Sequence, residues 1–286
     1  MGIDIYAFNF IKLAASRHSL GSVLTIGRQS LNVDPAFIEK DLAQTIERTG
    51  YCEPVLYALN AECVESIDFS DDEDASFVAD LNQPISIGTK FDTIIDSGSL
   101  EHIFDIATAF RNIANLCKIG GRIFHFLPVN NLNGHGFWQF SSDLLYSIYS
   151  KQNVFAETEV YYASSLDSSS WYRMPDIQPG VRDEIASLEP IILLSVTRKV
   201  SIVESFKVMQ PFYAPAWGQV GQRLDERKAF KLKLIAKRFF VRRSRLINLI
   251  RNIHLIIGLV SGSSRYSINN PRFKKIVVDK SVRGLI

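Results

Sequence analysis

The stretch FDTIIDSGSLEHIFDIATAFRNIANLCKIGGRIFHFLP, residues 91–128, decides the fold. It opens on FDTIID (91–96), a short β-rich run closed by an acid. Asp105 then offers an N-cap, and Ile106, Ala109, Phe110, Ile113, Leu116 and Cys117 recur on one helical face until Gly120-Gly121 ends the pattern. RIFHFLP (122–128) returns to an extended apolar run. A strand, an amphipathic helix and a second strand in this order argue for a parallel sheet covered on both faces.

The same alternation extends in both directions. Upstream, VLTI (23–26) is apolar and β-branched at three of its four positions, as a buried parallel strand should be. Asp34-Pro35 supplies an N-cap and first helical residue, and Ile38, Leu42 and Ile46 form a stripe that Gly50 ends. A short helix is expected from Pro54 to about Ala61, then CVESID (63–68) and ASFVADL (75–81) as the second and third strands. Downstream, Ser142 to Ser150 reads as a short amphipathic helix. NVFAETEVYYA (153–163) and PIILLSVTRKV (190–200) read as a closing pair of strands around a Ser/Asp/Pro-rich insertion. The expected fold is α/β, a Rossmann-like doubly wound and mostly parallel sheet of about seven strands at residues 18–200. A leader helix at 1–17 precedes it, and a basic, mainly helical extension at 201–286 follows.

Ligands of such sheets bind beyond the carboxyl ends of the strands, near the switch in strand order. The first strand ends at Gly27, the second at Asp68, the third at Asp80-Leu81 and the fourth at Asp96-Ser97-Gly98. Three acids delivered to one edge are costly without a ligand or cation to balance them. An acid ending the second strand suits a ribose diol, and Asp80 can accept from an exocyclic amine while Leu81 covers a ring face. Both acids also have a local reading, Asp68 as part of an acidic turn and Asp80 as turn chemistry before Asn82 and Pro84.

From about residue 20 to 200 the chain resembles the class I S-adenosylmethionine-dependent methyltransferases. The resemblance is carried by the FD-x-I-I-D, L-E-H and K-x-G-G-R-I pieces of the opening stretch. It implies S-adenosylmethionine as cofactor, with Gly27 as the loop glycine, Asp68 as the ribose acid and Asp80 with Leu81 at the adenine. Asp96, Ser97 and Gly98 would lie beside the methionine moiety and the methyl group. The loop VLTIGRQSLNVDP (23–35) departs from the family pattern. Thr25 stands two residues before the first glycine, where the family has an acid, and Arg28-Gln29-Ser30 replaces its further glycines. The cofactor has no phosphate to seat on a helix N-terminus, and Arg28 can meet its carboxylate or neutralise the acidic edge.

Acceptor-side candidates follow the fourth and fifth strands. Glu101 and His102 border the expected acceptor position, though Glu101 can equally satisfy backbone amides and His102 can pack half-buried. In GHGFWQFSSD (134–143), His135 between two glycines is the first candidate for a general base and His102 the second. Phe137 and Trp138 suit a substrate wall, or an aromatic anchor for the loop. The run DFSDDEDAS (68–76) lacks the glycine and distal glutamate of a calcium loop and reads as a solvated turn, so no metal is expected.

Composition sets the remaining expectations. The three cysteines form no C-x-x-C pair, which argues against structural zinc or a disulfide framework. No secretory signal pattern opens the chain, and a cytoplasmic location is expected. The net charge of +2 conceals an asymmetry: residues 1–222 hold 15 Lys/Arg against 27 Asp/Glu, residues 223–286 hold 17 against 3. The basic segment 223–260, with an apolar helical stripe too short to span a bilayer, can pack on the acidic body or lie on an anionic membrane surface. No nucleic-acid motif accompanies it, so nucleic acid is not expected as a partner. The expected activity is methyl transfer to a small-molecule, glycan or lipid-linked acceptor. The alternative is a catalytically inactive module of the same fold, used for binding or scaffolding and held at a membrane surface by its basic tail. Oligomeric state has no signature in the sequence.

Overall fold

The computed structural model describes residues 2–34, 50–213, 253, 256–257 and 267–278. The helix expected from Asp34 and most of the basic extension lie outside the described residues. In chain order the elements are β1 (Gly2–Asp4), α1 (Ile5–Ala15), β2 (Gly21–Ile26), β3 (Ser30–Asn32), α2 (Glu53–Ala58), β4 (Ala61–Asp68) and β5 (Phe77–Val78). They continue with β6 (Phe91–Ser97), α3 (Ile106–Leu116), β7 (Cys117–Asn130), α4 (Ser142–Ile148), β8 (Phe155–Ser164), β9 (Ser170–Arg173), β10 (Ile191–Lys199) and β11 (Lys274–Val277).

The main sheet runs β11-β9-β8-β10-β7-β6-β2-β4-β5. Strands β5, β4, β2, β6 and β7 are mutually parallel, and β10 is inserted antiparallel between β7 and β8. The parallel half follows the order 3-2-1-4-5 of the nucleotide-binding α/β fold, with its switch between β2 and β6. Among the described residues the sheet has nine strands where the sequence points to about seven. The additional two are β9, from the Ser/Asp/Pro-rich insertion, and β11, from the C-terminal segment, paired antiparallel at one edge. A separate parallel pair, β1 with β3, joins the N-terminus to the segment after β2.

Two apolar layers account for the stability of this sheet. Val23, Ile95 and Phe124 face one layer with α1 and α2, whereas Leu24, Ile26, Ile94 and Ile123 face the other with α3 and α4. Burial on both sides is what makes the central strands nearly continuous apolar runs. Helix α1 starts where Asp4 accepts hydrogen bonds from the amides of Tyr6 and Ala7, at 3.0 and 2.9 Å. Its Phe10 packs edge-on against Phe124, Phe126, Tyr161 and Trp171. The N-terminal helix is therefore built into the same core as the sheet. Helix α3 is capped by Asp105, as its sequence predicts, and the buried Lys199 ammonium closes its far end on the carbonyls of Ala114 and Cys117. No helix among the described residues is long and apolar enough to cross a membrane.

Candidate functional site

Gly27 leaves β2 with φ +74°, a left-handed turn that glycine adopts without strain, and its amide bonds to the Ile67 carbonyl at 2.7 Å. The turn brings the ends of β2 and β4 together, and Asp68 fastens them. Its carboxylate accepts from the amides of Arg28 at 3.2 Å and Phe69 at 2.7 Å. Asp80 accepts from the amide and side chain of Asn82, forming a turn that holds Leu81 inward. Gly27, Asp68, Asp80, Leu81 and His102 line one cavity of about 170 Å³.

Arg28 does not enter that cavity. Its guanidinium pairs with Glu53 at 2.8 Å, donates to the Glu73 carbonyl at 2.6 Å and stacks over Tyr51 at 4.0 Å. Gln29, which the sequence presents only as a missing glycine, is fully buried. Its amide nitrogen donates to the Ile26 carbonyl and to the Ser99 hydroxyl, tying the first loop to the turn after β6.

Asp96, Ser97 and Gly98 divide. Asp96 is fully buried and lines neither this cavity nor the one described next. One carboxylate oxygen lies 2.8 Å from His125 Nδ1, and the other accepts from the amides of Ser99 and Leu100 at 3.1 and 3.2 Å. His125 Nε2 in turn lies 2.6 Å from the Tyr149 hydroxyl. One assignment gives every group a partner: Nδ1–H donates to Asp96 and Nε2 accepts from the phenol. Burial, with Asp96 close by, pushes the Tyr149 hydroxyl well above its ordinary value. Ser97 donates to the Gly2 carbonyl at 2.9 Å, and Gly98 turns left-handed at φ +79°. Sequence reasoning misses His125 and Tyr149; the available signal is a lone polar residue inside the apolar run RIFHFLP.

A second cavity, of about 340 Å³, lies beyond the ends of β6 and β7 and is lined by Ser97, Gly98, Glu101, His102, His135 and Pro128, among others. The N-terminal strand pair contributes Gly2, Asp4 and Asn32, to which nothing in the sequence points. His102 lines both cavities. Glu101 is buried to 1% exposure, and one of its oxygens, Oε2, has no hydrogen-bond partner among the described residues. Desolvation and then the nearby Asp96 push its carboxyl up to about 8. Its other oxygen is 3.5 Å from His135 Nε2, and the rings of His102 and His135 lie 5.6 Å apart. Partial burial and then His135 hold the His102 imidazole below its ordinary value.

The 134–138 loop is held on Glu101 by backbone contacts. The amides of Phe137 and Trp138 both donate to the Glu101 carbonyl, at 2.7 and 3.3 Å. A Cβ on Gly136 would stand 2.7 Å from that same oxygen, so only glycine lets the loop approach so closely. Trp138 donates its indole N–H to the Ile103 carbonyl at 2.9 Å and Phe137 meets Phe104 edge-on at 6.0 Å; neither Phe137 nor Trp138 lines either cavity. The arrangement can hold a ligand across two adjoining cavities, with carboxylates at one end and a carboxylate and two imidazoles at the other.

No protein-family model matches the chain, and no curated protein matches it. Among solved structures it is similar to the N-methyltransferase NodS from Bradyrhizobium japonicum WM9, at 15% identity over 67% of this chain and 93% of that one, TM-score 0.40. It is also similar to TehB from Haemophilus influenzae, at 12% identity over 67% and 61%, TM-score 0.41. The YcgJ protein from Bacillus subtilis matches at 12% identity over 68% and 98%, TM-score 0.40. Similarities of this size assign neither family nor activity to the chain.

Proposed function

We propose that the chain is an S-adenosylmethionine-dependent methyltransferase whose donor occupies the cavity of Asp68 and Asp80 and whose acceptor enters the cavity of Glu101 and His135. The observation that carries this reading is the meeting of the two cavities at His102, directly beyond the strand switch. The residues present fit the donor: both carboxylates line a single cavity, their local hydrogen bonds anchor them in place, and Arg28 is drawn off by Glu53. When bound, the donor supplies an electrophilic methyl group on a sulfonium.

Asp68 would accept from a ribose diol and Asp80 from an exocyclic amine, with Leu81 against the ring. Gly27 and Gly98, both left-handed, would let backbone approach the donor from β2 and β6. His102 sits at the junction, and the trio Glu101, His102 and His135 receives the proton that a hydroxyl acceptor must lose. Fixing the acceptor in the second cavity, in line with the methyl group, supplies much of the acceleration, since orientation is worth up to about 7–11 kcal/mol. The exposed Phe69, Phe104 and Phe137 offer apolar faces for a glycan or lipid-linked acceptor. A cytoplasmic enzyme whose segment 223–260 contacts anionic lipid is part of this proposal; that segment's stronger sedimentation with anionic than with neutral vesicles would support it.

One observation favours the second reading, a binding module without catalysis. Gln29 occupies the space after Gly27 and leaves its Oε1 buried with no partner among the described residues. Calorimetric titration with S-adenosylmethionine and S-adenosylhomocysteine separates the two. Binding of both, lost in Asp68→Ala, supports the enzyme; no heat from either with folded protein supports the inactive module.

A further inference from the structure

The loop carrying His135 and the turn carrying Glu101 and His102 bring two imidazoles and a carboxylate to one wall of the second cavity. One ligand atom from each lies within 4.8 Å of the other two, and no other such cluster of His, Cys, Asp and Glu occurs among the described residues. A second, independent observation points to a ligand at this cluster. Glu101 is 1% exposed, yet its Oε2 has no hydrogen-bond partner among the described residues, while Oε1 lies 3.5 Å from His135 Nε2, beyond good hydrogen-bond length. A buried carboxyl so poorly satisfied is costly as the anion: it is held neutral by a proton unless a cation takes the proton's place.

We propose that Glu101, His102 and His135 bind one first-row transition-metal dication, which keeps an open position toward the acceptor cavity. Two imidazoles and one carboxylate are the donor set of catalytic zinc and of non-haem iron sites, and imidazole disfavours magnesium and calcium. Ligand atoms around a tetrahedral ion with bonds of about 2.0–2.1 Å stand roughly 3.3 Å apart, close to the Glu101–His135 spacing. His102 closes the remaining distance by side-chain rotation, since it is solvent-exposed at the cavity junction. Glu101 is buried, whereas both histidines are exposed. The open side faces the acceptor. There the cation would bind a hydroxyl oxygen and make it easier to deprotonate; the histidines then serve as ligands in place of the base role given them above, and the proton passes to solvent water at the exposed rim. The acceptor class implied is a hydroxylated one, an alcohol or sugar. That last step rests on the methyltransferase reading, whereas cation binding does not.

The test uses the full chain stripped of metal with chelator. Zinc is titrated by calorimetry and cobalt by visible absorption, while S-adenosylhomocysteine is titrated separately into the metal-free protein. One zinc ion per chain is expected, with strong cobalt bands of a four- or five-coordinate site. His135→Ala and His102→Ala should each weaken zinc by about tenfold or more, with unchanged melting of the metal-free proteins. Cys63→Ser, at an exposed thiol on β4, should leave zinc binding as it was. Absence of zinc binding, wild-type affinity in both histidine variants, or loss of binding in Cys63→Ser overturns the proposal. Nucleoside binding without zinc binding sinks the cation site alone; zinc binding without nucleoside binding sinks the methyltransferase reading alone.

Discussion

Asp96→Asn tests whether this acid is part of the sheet or part of a ligand pocket. The wild-type carboxylate accepts three hydrogen bonds, from the amides of Ser99 and Leu100 and from His125. The asparagine oxygen must keep the two amides, so its NH₂ group faces His125 Nδ1. His125 then has to take the other tautomer, placing Nε2–H against the Tyr149 oxygen 2.6 Å away, and the phenol proton is left without a partner. Losing a charge-assisted bond and orphaning a buried hydroxyl should cost about 2–4 kcal/mol. For a chain of this size that lowers the melting temperature by roughly 5–12 °C. Tyr149→Phe alone orphans Nε2 and should cost about 1–2 kcal/mol. The double variant still has one orphan rather than two, so the pair should fall short of additivity by about 1 kcal/mol. Denaturant melts give the stabilities, and S-adenosylhomocysteine calorimetry gives the affinities, which should stay within about threefold because a 1.4 kcal/mol change would be needed for tenfold. Wild-type stability with a collapsed affinity would mean that the carboxylate faces the ligand, and the reasoning would be refuted.

Gly136→Ala should shift the loop off Glu101, breaking the Phe137 amide bond, and cost about 2 kcal/mol in a denaturant melt while zinc affinity also falls; a neutral effect on both would show that the loop is not held there. Lys199→Met should lose about 2 kcal/mol, because two buried carbonyls at the end of α3 forfeit a charged donor, and thermal melting checks it. For Asp92, desolvation pulls the carboxyl up, but hydrogen bonds from Lys118 and Ser22 hold it below its usual 3.8. A depressed acid stabilises above its unfolded value and loses that contribution as pH falls through the folded one. Asp92→Asn should therefore cost about 1 kcal/mol at pH 7, modest because the pair is half-exposed, and the gap should narrow as pH falls below 3.8 and close once it has passed the lower folded value, in acid-range melts.

The parallel half of the sheet is legible in the sequence because its strands are buried on both faces, which leaves predominantly apolar, β-rich runs at 23–26, 91–96 and 122–128. The closing pair is legible for the same reason. ASFVADL has the pattern of a full strand, yet only Phe77–Val78 pairs, since Asp80 begins its own turn with Asn82. The short strand β9 has no visible pattern because serines precede it and its partner, β11, lies far along the chain. PRFKKIVVDK is compatible in sequence with an edge strand or a loose end, and it is an edge strand at Lys274–Val277. For the site, sequence places the ends of the strands but not the direction of each side chain. Asp96 stands opposite His125 in the β6–β7 register, and that cross-strand pairing, invisible in either strand alone, draws its carboxylate inward. The encounter of Glu101 with His135 depends on a loop from beyond the next strand and on the absence of a side chain at Gly136.

Gln29 offers the sharpest contrast between pattern and physics. By pattern, Gln29→Gly moves the first loop toward the glycine-rich form and should improve cofactor binding. By structure it does the reverse. The Gln29 amide group holds both the last carbonyl of β2 and the Ser99 hydroxyl, and Ser99 opens the turn whose next residues are Leu100, Glu101 and His102. Removing it deletes two buried hydrogen bonds of about 0.5–1.5 kcal/mol each and adds about 0.5–1 kcal/mol of backbone entropy cost. The variant should lose roughly 2–4 kcal/mol of stability, and its nucleoside affinity should drop because Ser99 and His102 both line the cavity. Melting and S-adenosylhomocysteine calorimetry on the same preparation measure both effects. Tighter binding with undiminished stability would show that the loop is an impaired glycine turn; weaker binding would show that the side chain has taken over the turn's task of fixing β2 against the switch strand.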